Sequence, residues 1–203
     1  MIASDVLTGG FADPVFQSQA IFRKVLDAFA RPGRVVTIPA AVSAPAPLYA
    51  STAAFLCTFA DEGTPVHLDR EIDHGGAAAA WVRFHTGAPV ADLPGAAQFA
   101  ILVDPRQVPR FEEFSQGSQE YPDRSTTIIL QVEDLAGGIA LRLEGPGIDG
   151  AAEASPRPLP GDFVVRMQGN RALFPRGVDV VLASPLAILA LPRSVRVTLA
   201  GAG

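Results

Sequence analysis

Apolar positions along this chain change their period several times, and each change predicts an element. Residues 128–132 form a short run of β-branched and apolar side chains, the composition of a buried strand. The connector 133–138 ends in Gly137-Gly138, which can reverse the chain without steric cost. Beyond it Ile139, Leu141 and Leu143 alternate with Ala140 and Arg142, the period of a half-buried strand. The reading is a β-hairpin near the centre of a sheet, with the rest of the chain supplying cover and further strands.

Upstream, Asp13 and Pro14 are an N-cap and a first helical residue. The helix they open carries a stripe of Phe16, Phe22, Val25, Leu26 and Phe29, expected to face the core. Arg31-Pro32-Gly33 ends it. A strand over 34–38 follows, then a proline-rich loop, and then a helix over 51–59 that is apolar almost all round. The pattern continues with strands at 64–68 and 97–103 and a helix at 77–84. Residues 105–114 read as a short polar helix or loop. After the hairpin come a helix at 161–169, a strand at 178–183 and one or two strands over 186–199. Hairpin and crossover connections together predict one α/β domain over residues 1–203, a mixed β-sheet flanked by helices.

Composition narrows the function. With 48% hydrophobic and 18% charged residues the chain has a core to bury and is not a disordered segment. The net charge of −5 argues against a nucleic-acid partner, which would require a basic face. The start, Met1-Ile2-Ala3-Ser4-Asp5, is not that of a secretory signal, and the longest apolar region, 178–191, is broken by Asp179 and Pro185. No membrane span and a cytoplasmic location are therefore expected. The single cysteine, Cys57, excludes a disulfide framework or a four-thiolate metal site and reads as a core residue.

The basic residues are 15 arginines and one lysine, Lys24, on the first helix. A P-loop needs a lysine after its glycines, and a pyridoxal phosphate enzyme needs one for its Schiff base. Lys24 suits neither. Gly145-Pro146-Gly147-Ile148-Asp149-Gly150 spells G-x-G-x-x-G, but prolines at 156, 158 and 160 follow where a nucleotide-binding helix would begin. No nucleophile elbow, H-E-x-x-H or thiol–histidine pairing is present, and the acidic segment 69–74 beside His67 reads as a solvated loop. These residues assign no catalytic, cofactor or metal position. The candidate anion or partner contacts are Arg83, His85 and Thr86, with Asp179 and Arg193. A helix C-terminus dressed with basic residues is the favoured account of the first three.

The motifs occur in a telling order. Phe16, Phe22 and Arg23 lead to Arg31-Pro32-Gly33. Then come Arg83-Phe84-His85-Thr86 with Ala88-Pro89, and Ile129-Leu130-Gln131-Val132. Leu143 with Gly145-Pro146-Gly147-Ile148, Phe174-Pro175 with Gly177-Val178-Asp179, and Leu191-Pro192-Arg193 complete the series. Over nearly its whole length the chain resembles the PhnH family, the H subunit of bacterial carbon–phosphorus lyase. The resemblance implies a part in phosphonate breakdown. There the G, H and I subunits, with an ATPase-like L subunit, are linked to replacing the adenine of ATP by an alkylphosphonate, and a separate J subunit later cleaves the carbon–phosphorus bond. It also implies a fold similar to pyridoxal phosphate-dependent transferases without the cofactor lysine, and no cofactor. The implied partners are a second copy when isolated, and the G, I, J and K subunits in the assembly. Two functions are carried forward: an architectural subunit of a ribose 1-methylphosphonate 5-triphosphate synthase, and a free-standing enzyme acting on a phosphorylated nucleoside near Arg83, His85 and Asp179. The low charged share, against a usual share of about 25%, independently favours protein–protein contact.

Overall fold

A strand with no polar alternation needs cover on both faces, and residues 127–131 receive it. The computed structural model describes residues 8–72 and 76–201. In chain order its strands are β1 (Val36–Thr37), β2 (Val66–Leu68), β3 (Phe99–Leu102), β4 (Thr127–Gln131), β5 (Leu141–Glu144), β6 (Ala152–Ala154), β7 (Asp179–Ser184), β8 (Ala187–Leu191) and β9 (Arg196–Leu199). Its helices are α1 (Pro14–Ala30), α2 (Ala50–Phe59), α3 (Ala77–Thr86) and α4 (Phe163–Ala172). Six strands form one sheet in the order β1-β8-β7-β4-β3-β2, and three form a second in the order β6-β5-β9. In the large sheet β2, β3, β4 and β7 run parallel, β8 is antiparallel to β7, and β1 is antiparallel to β8. The expected α/β domain with a mixed sheet flanked by helices is what the chain forms.

The two faces of the large sheet are filled by alternate residues of the same strands. Ile101, Ile129 and Val181 point into a core shared with α1, α2 and α3. Leu102, Ile128, Leu130, Val180 and Leu182 point into the opposite core, completed by α4 and the small sheet. Two layers of cover explain why these strands read as continuous apolar runs. Gln131, 2% exposed at the end of β4, donates to the Pro47 carbonyl and accepts from the Tyr49 N–H, so it holds the loop entering α2. Asn170 of α4 likewise donates to the Val178 carbonyl and accepts from the Val178 N–H, both at 2.8 Å. Buried amides are tolerated when both ends are satisfied, and these two are.

The expected hairpin does not form. β4 pairs with β3 and β7, whereas β5 pairs with β6 and β9 in the other sheet. Between them Asp134 pairs with Arg157, and the Gly138 N–H donates to the Ser155 carbonyl, so the Gly-Gly segment binds the chain leaving β6 instead of returning along β4. Strand periodicity identifies a strand but not its neighbour; a strand buried on both faces is satisfied best by parallel partners from distant sequence. The alternation in the second half holds from Leu141 onward, with Leu141 and Leu143 buried and Arg142 exposed, but Ile139 is 71% exposed. The strand β6 was not anticipated, because three residues carry too little pattern.

Helix α1 is capped as expected, with the Asp13 carboxylate accepting the Phe16 N–H. Its buried face differs from the stripe read from the sequence. Ile21, Val25 and Ala28 are buried, while Phe16, Phe22 and Leu26 are 71%, 43% and 50% exposed. α1 lies against α2, β1 and β8, and small Ala28 permits that approach. The sequence reading followed the bulkiest side chains, whereas packing chose the narrower i, i+4, i+7 face.

The register of β5 gives the first test. Leu141→Ala should cost about 2–5 kcal/mol through the cavity it leaves. Arg142→Ala and Ile139→Ala should each cost about 0.5 kcal/mol or less at exposed positions. Urea denaturation of the three variants measures this; an Ile139→Ala loss as large as that at Leu141 would contradict the exposed placement.

Candidate functional site

The five candidate residues fall into two groups. Asp179 opens β7 and Arg193 lies in the loop between β8 and β9, where the two are joined side chain to side chain. Arg193 Nη2 donates to Asp179 Oδ2 at 2.6 Å, while its Nε and backbone N–H donate to Oδ1 at 3.1 and 2.8 Å. Its remaining guanidinium hydrogens reach the Pro122 carbonyl at 2.8 Å, the Pro175 carbonyl at 3.3 Å and Ser125 Oγ at 2.5 Å. With side chains only 12% and 19% exposed, this bidentate pair is spent on the fold. It ties the approach to β4, the turn before β7 and the exit from β8 at one point.

Arg83, His85 and Thr86 lie at the C-terminus of α3. Among the described residues, none of the side-chain hydrogen bonds or ring contacts of these three involves Asp179 or Arg193. His85 packs on the Trp81 ring at 4.6 Å between centroids, and its Nε2 lies 3.2 Å from the Thr8 carbonyl, which also accepts from Trp81 Nε1. A side chain on Gly10 would collide with the His85 ring, so the N-terminal segment is seated on it. Thr86 Oγ1 donates to the Val82 carbonyl and accepts the Ala88 N–H, closing the helix end. Arg83 alone of the three is exposed to solvent.

A cleft of about 780 Å³ with a mixed polar and apolar lining opens beside the carboxyl end of β2, the end at which parallel sheets commonly take ligands. His67, Asp69, Arg70, Glu71, Asp92 and Gln107 line it. Its chemistry is already engaged in part. Asp69 accepts the Ile72 and Val103 N–H groups, and His67 Nδ1 lies 3.0 Å from the Ala91 carbonyl. The solvated-loop reading of 69–74 thus misses Asp69, a carboxylate that ties β2's exit to β3's; Asp73 and His74 lie outside the described residues. Among the described residues no group of three or more His, Cys, Asp or Glu side chains is placed to hold a metal. The G-x-G-x-x-G spelling leads into β6 and not into a helix. There Gly147 approaches Ala30 and Pro32 so closely that a β-carbon would strike the Ala30 carbonyl. That motif joins α1's end to the small sheet.

Cys57 is half-buried in α2 against the helical core. Burial pushes its thiol from 9.0 up to about 12, away from the thiolate a nucleophile requires.

A family model described as bacterial phosphonate metabolism protein (PhnH) matches residues 9–198. The chain belongs to the PhnH family. One relative, the alpha-D-ribose 1-methylphosphonate 5-triphosphate synthase subunit PhnH of Rhizobium meliloti (strain 1021), is 43% identical over 193 residues, covering 95% of this chain and 96% of that protein. A second, the putative C-P lyase subunit protein HtxG of Stutzerimonas stutzeri, is 30% identical over 194 residues, covering 92% and 88%. The motifs that first suggested PhnH can now be placed. Gln131, Gly147, Asp179 and Arg193 each close a long-range joint, and Gly177 sits against the Asn170 carboxamide. Sequence reading took Asp179 and Arg193 for possible anion contacts and did not single out Gln131 or Asn170. A polar side chain inside an apolar run, as in Ile129-Leu130-Gln131-Val132, was the available signal for Gln131.

Two outcomes follow. Asp179→Asn should lower stability by on the order of 3 kcal/mol, because it leaves the Arg193 guanidinium without its counter-charge; thermal and urea unfolding measure it, and an unchanged midpoint would refute the joint. For Cys57 the folded pKa lies above the unfolded one, so its contribution is complete below about 9 and is lost as pH rises towards about 12. The stability of the natural chain relative to Cys57→Ala should therefore decline across that window, and the thiol should react with a disulfide reagent at pH 8 only after denaturant is added.

Proposed function

We propose that this chain is the H-type subunit of an alpha-D-ribose 1-methylphosphonate 5-triphosphate synthase and that its role there is architectural. The 43% identity to such a subunit, running end to end through both chains, carries the reading. The polar side chains in its family motifs support it, since those most deeply placed bind the fold's own backbone and leave no nucleophile–base pair in a cleft. Catalysis in this proposal belongs to the assembly, in which the G, I and L subunits act with this one to exchange the adenine of ATP for an alkylphosphonate. We further propose a cytoplasmic homodimer when the chain is alone, and a scaffold akin to pyridoxal phosphate-dependent transferases in which Lys24, on α1, plays no cofactor role. The free-standing enzyme acting on a phosphorylated nucleoside is the less supported reading. Two of the three side chains it relied on, His85 and Asp179, already serve internal contacts.

Co-expression with the G and I subunits should yield a complex that survives size-exclusion chromatography. The isolated chain should scatter light as a dimer at micromolar concentration, burying on the order of 2,000 Å². Release of adenine from ATP in the presence of methylphosphonate should require the assembled subunits. Adenine release by this chain alone, with no co-purifying subunit, would reverse the assignment in favour of the free-standing enzyme.

A further inference from the structure

The side of α1 turned away from the core carries an unusual pairing of apolar and cationic groups. At about 100° per residue, Val15, Phe22 and Leu26 fall within about 40° of one another on the helix. They are 73%, 43% and 50% exposed, Phe22 with one face of its ring stacked on Phe59 of α2. Arg23, Asp27, Arg31 and Lys24 follow over about the next 160° of the helix surface, Lys24 nearest the buried face. Arg34 and Val35, just beyond the helix, continue it to the edge strand β1. There Arg23, Lys24, Asp27 and Arg34 line a cleft of about 480 Å³ with Val35, Val36 and Thr37. Five of the thirteen large apolar residues exposed among the described residues lie between Val15 and Val35.

The charge is as uneven as the hydrophobicity. Residues 14–37 hold four cations and one carboxylate, an excess of three, in a chain of net charge −5; the remainder therefore carries −8. Asp27 is shared by Arg31 and Arg34. No ion pair engages Arg23 or Lys24 among the described residues. An apolar stripe of this size is costly to leave in water, and a cationic rim beside it specifies the sign of what covers it.

We propose that this face is a docking surface for another subunit of the synthase, one that presents apolar side chains bordered by carboxylates. The inference rests on the subunit reading above and names the surface and the partner's chemistry. A second copy fits poorly. A two-fold contact would set the same patch against itself, bringing four cations of one protomer against four of the other, and like-charge juxtaposition of this kind selects against a partner. An off-axis contact between this patch and the acidic remainder of another copy would not close and would propagate. Nucleic acid fits no better: half of the patch is apolar, and the rest of the surface repels phosphate.

The test uses the full chain, co-expressed with the G and I subunits. The variants are Arg23→Glu/Lys24→Glu/Arg34→Glu for the charged half and Val15→Ser/Leu26→Ser for the apolar half. Arg106→Glu/Arg142→Glu/Arg196→Glu, exposed positions elsewhere, makes the same change in net charge and serves as the control. Each is first shown by its unfolding midpoint to be folded. The first two should weaken assembly by roughly tenfold or more, and the control should leave it within about twofold; the natural complex should loosen as salt rises, and the charge-reversed one should have lost most of that dependence. If the natural chain assembles and the first two variants assemble equally well, the docking face is wrong and the subunit reading stands. If those variants instead turn the isolated dimer into a monomer by light scattering, the face is a self-contact and the proposal is overturned. If the natural chain captures no subunit, the subunit reading itself falls, and this inference with it.

Discussion

Burial of β4 and β7 on both faces is the constraint from which the rest of the architecture follows. Strands without a solvent face are best placed inside the sheet, with a partner along each edge, and they need a layer on each side. The chain meets the first demand by bringing β3 and β8 alongside them, and the second by dividing its remaining elements: α1 to α3 over one face, α4 and the three-stranded sheet over the other. Cover drawn from so many distant segments must be held in register. The polar joints perform that task. Gln131 reaches 84 residues back to Pro47, Arg193 reaches 71 back to Pro122, and Arg166 of α4 holds the Val108 and Pro109 carbonyls.

These joints bear on how functional residues are sought. An arginine beside an aspartate, or three glycines at nucleotide-binding spacing, attracts a chemical reading because ligands are bound by the same groups that bind backbone. What separates the two uses is whether the donors are already occupied. Arg193 has five internal acceptor contacts, counting both oxygens of Asp179, and Gly147 is filled by the approach of Ala30. The cationic end of α1 differs, since it has more positive charge than its one carboxylate can answer.

Much of the fold was legible in the sequence because most of its elements have a local cause. The Asp13-Pro14 cap, the Arg31-Pro32-Gly33 stop after α1 and the apolar runs of β3, β4, β7 and β8 all announce themselves within a few residues. Pairing does not. Nothing local in 128–143 distinguishes a hairpin from two strands entering different sheets, because the choice is made by β7 and β9, some 50 residues later. The face of α1 was misjudged for a related reason: Ile21, Val25 and Ala28 are buried by α2, β1 and β8, which the helix's own pattern does not represent. The candidate site was legible as residue types only. That Asp179 meets Arg193, and that His85 meets Thr8, are facts of tertiary placement.

The lateness of β7 has a consequence for how the protein comes into being. During synthesis the chain emerges with β2, β3 and β4 able to assemble side by side, yet β4's other edge has no partner until residues 179–184 leave the ribosome. Over the same interval β5 has β6 beside it but lacks β9, which is made only after β7 and β8. The nascent chain must therefore carry an open strand edge, rich in apolar side chains, through the roughly 50 residues that separate β4 from β7, and sequestering that edge falls to whatever attends the growing polypeptide.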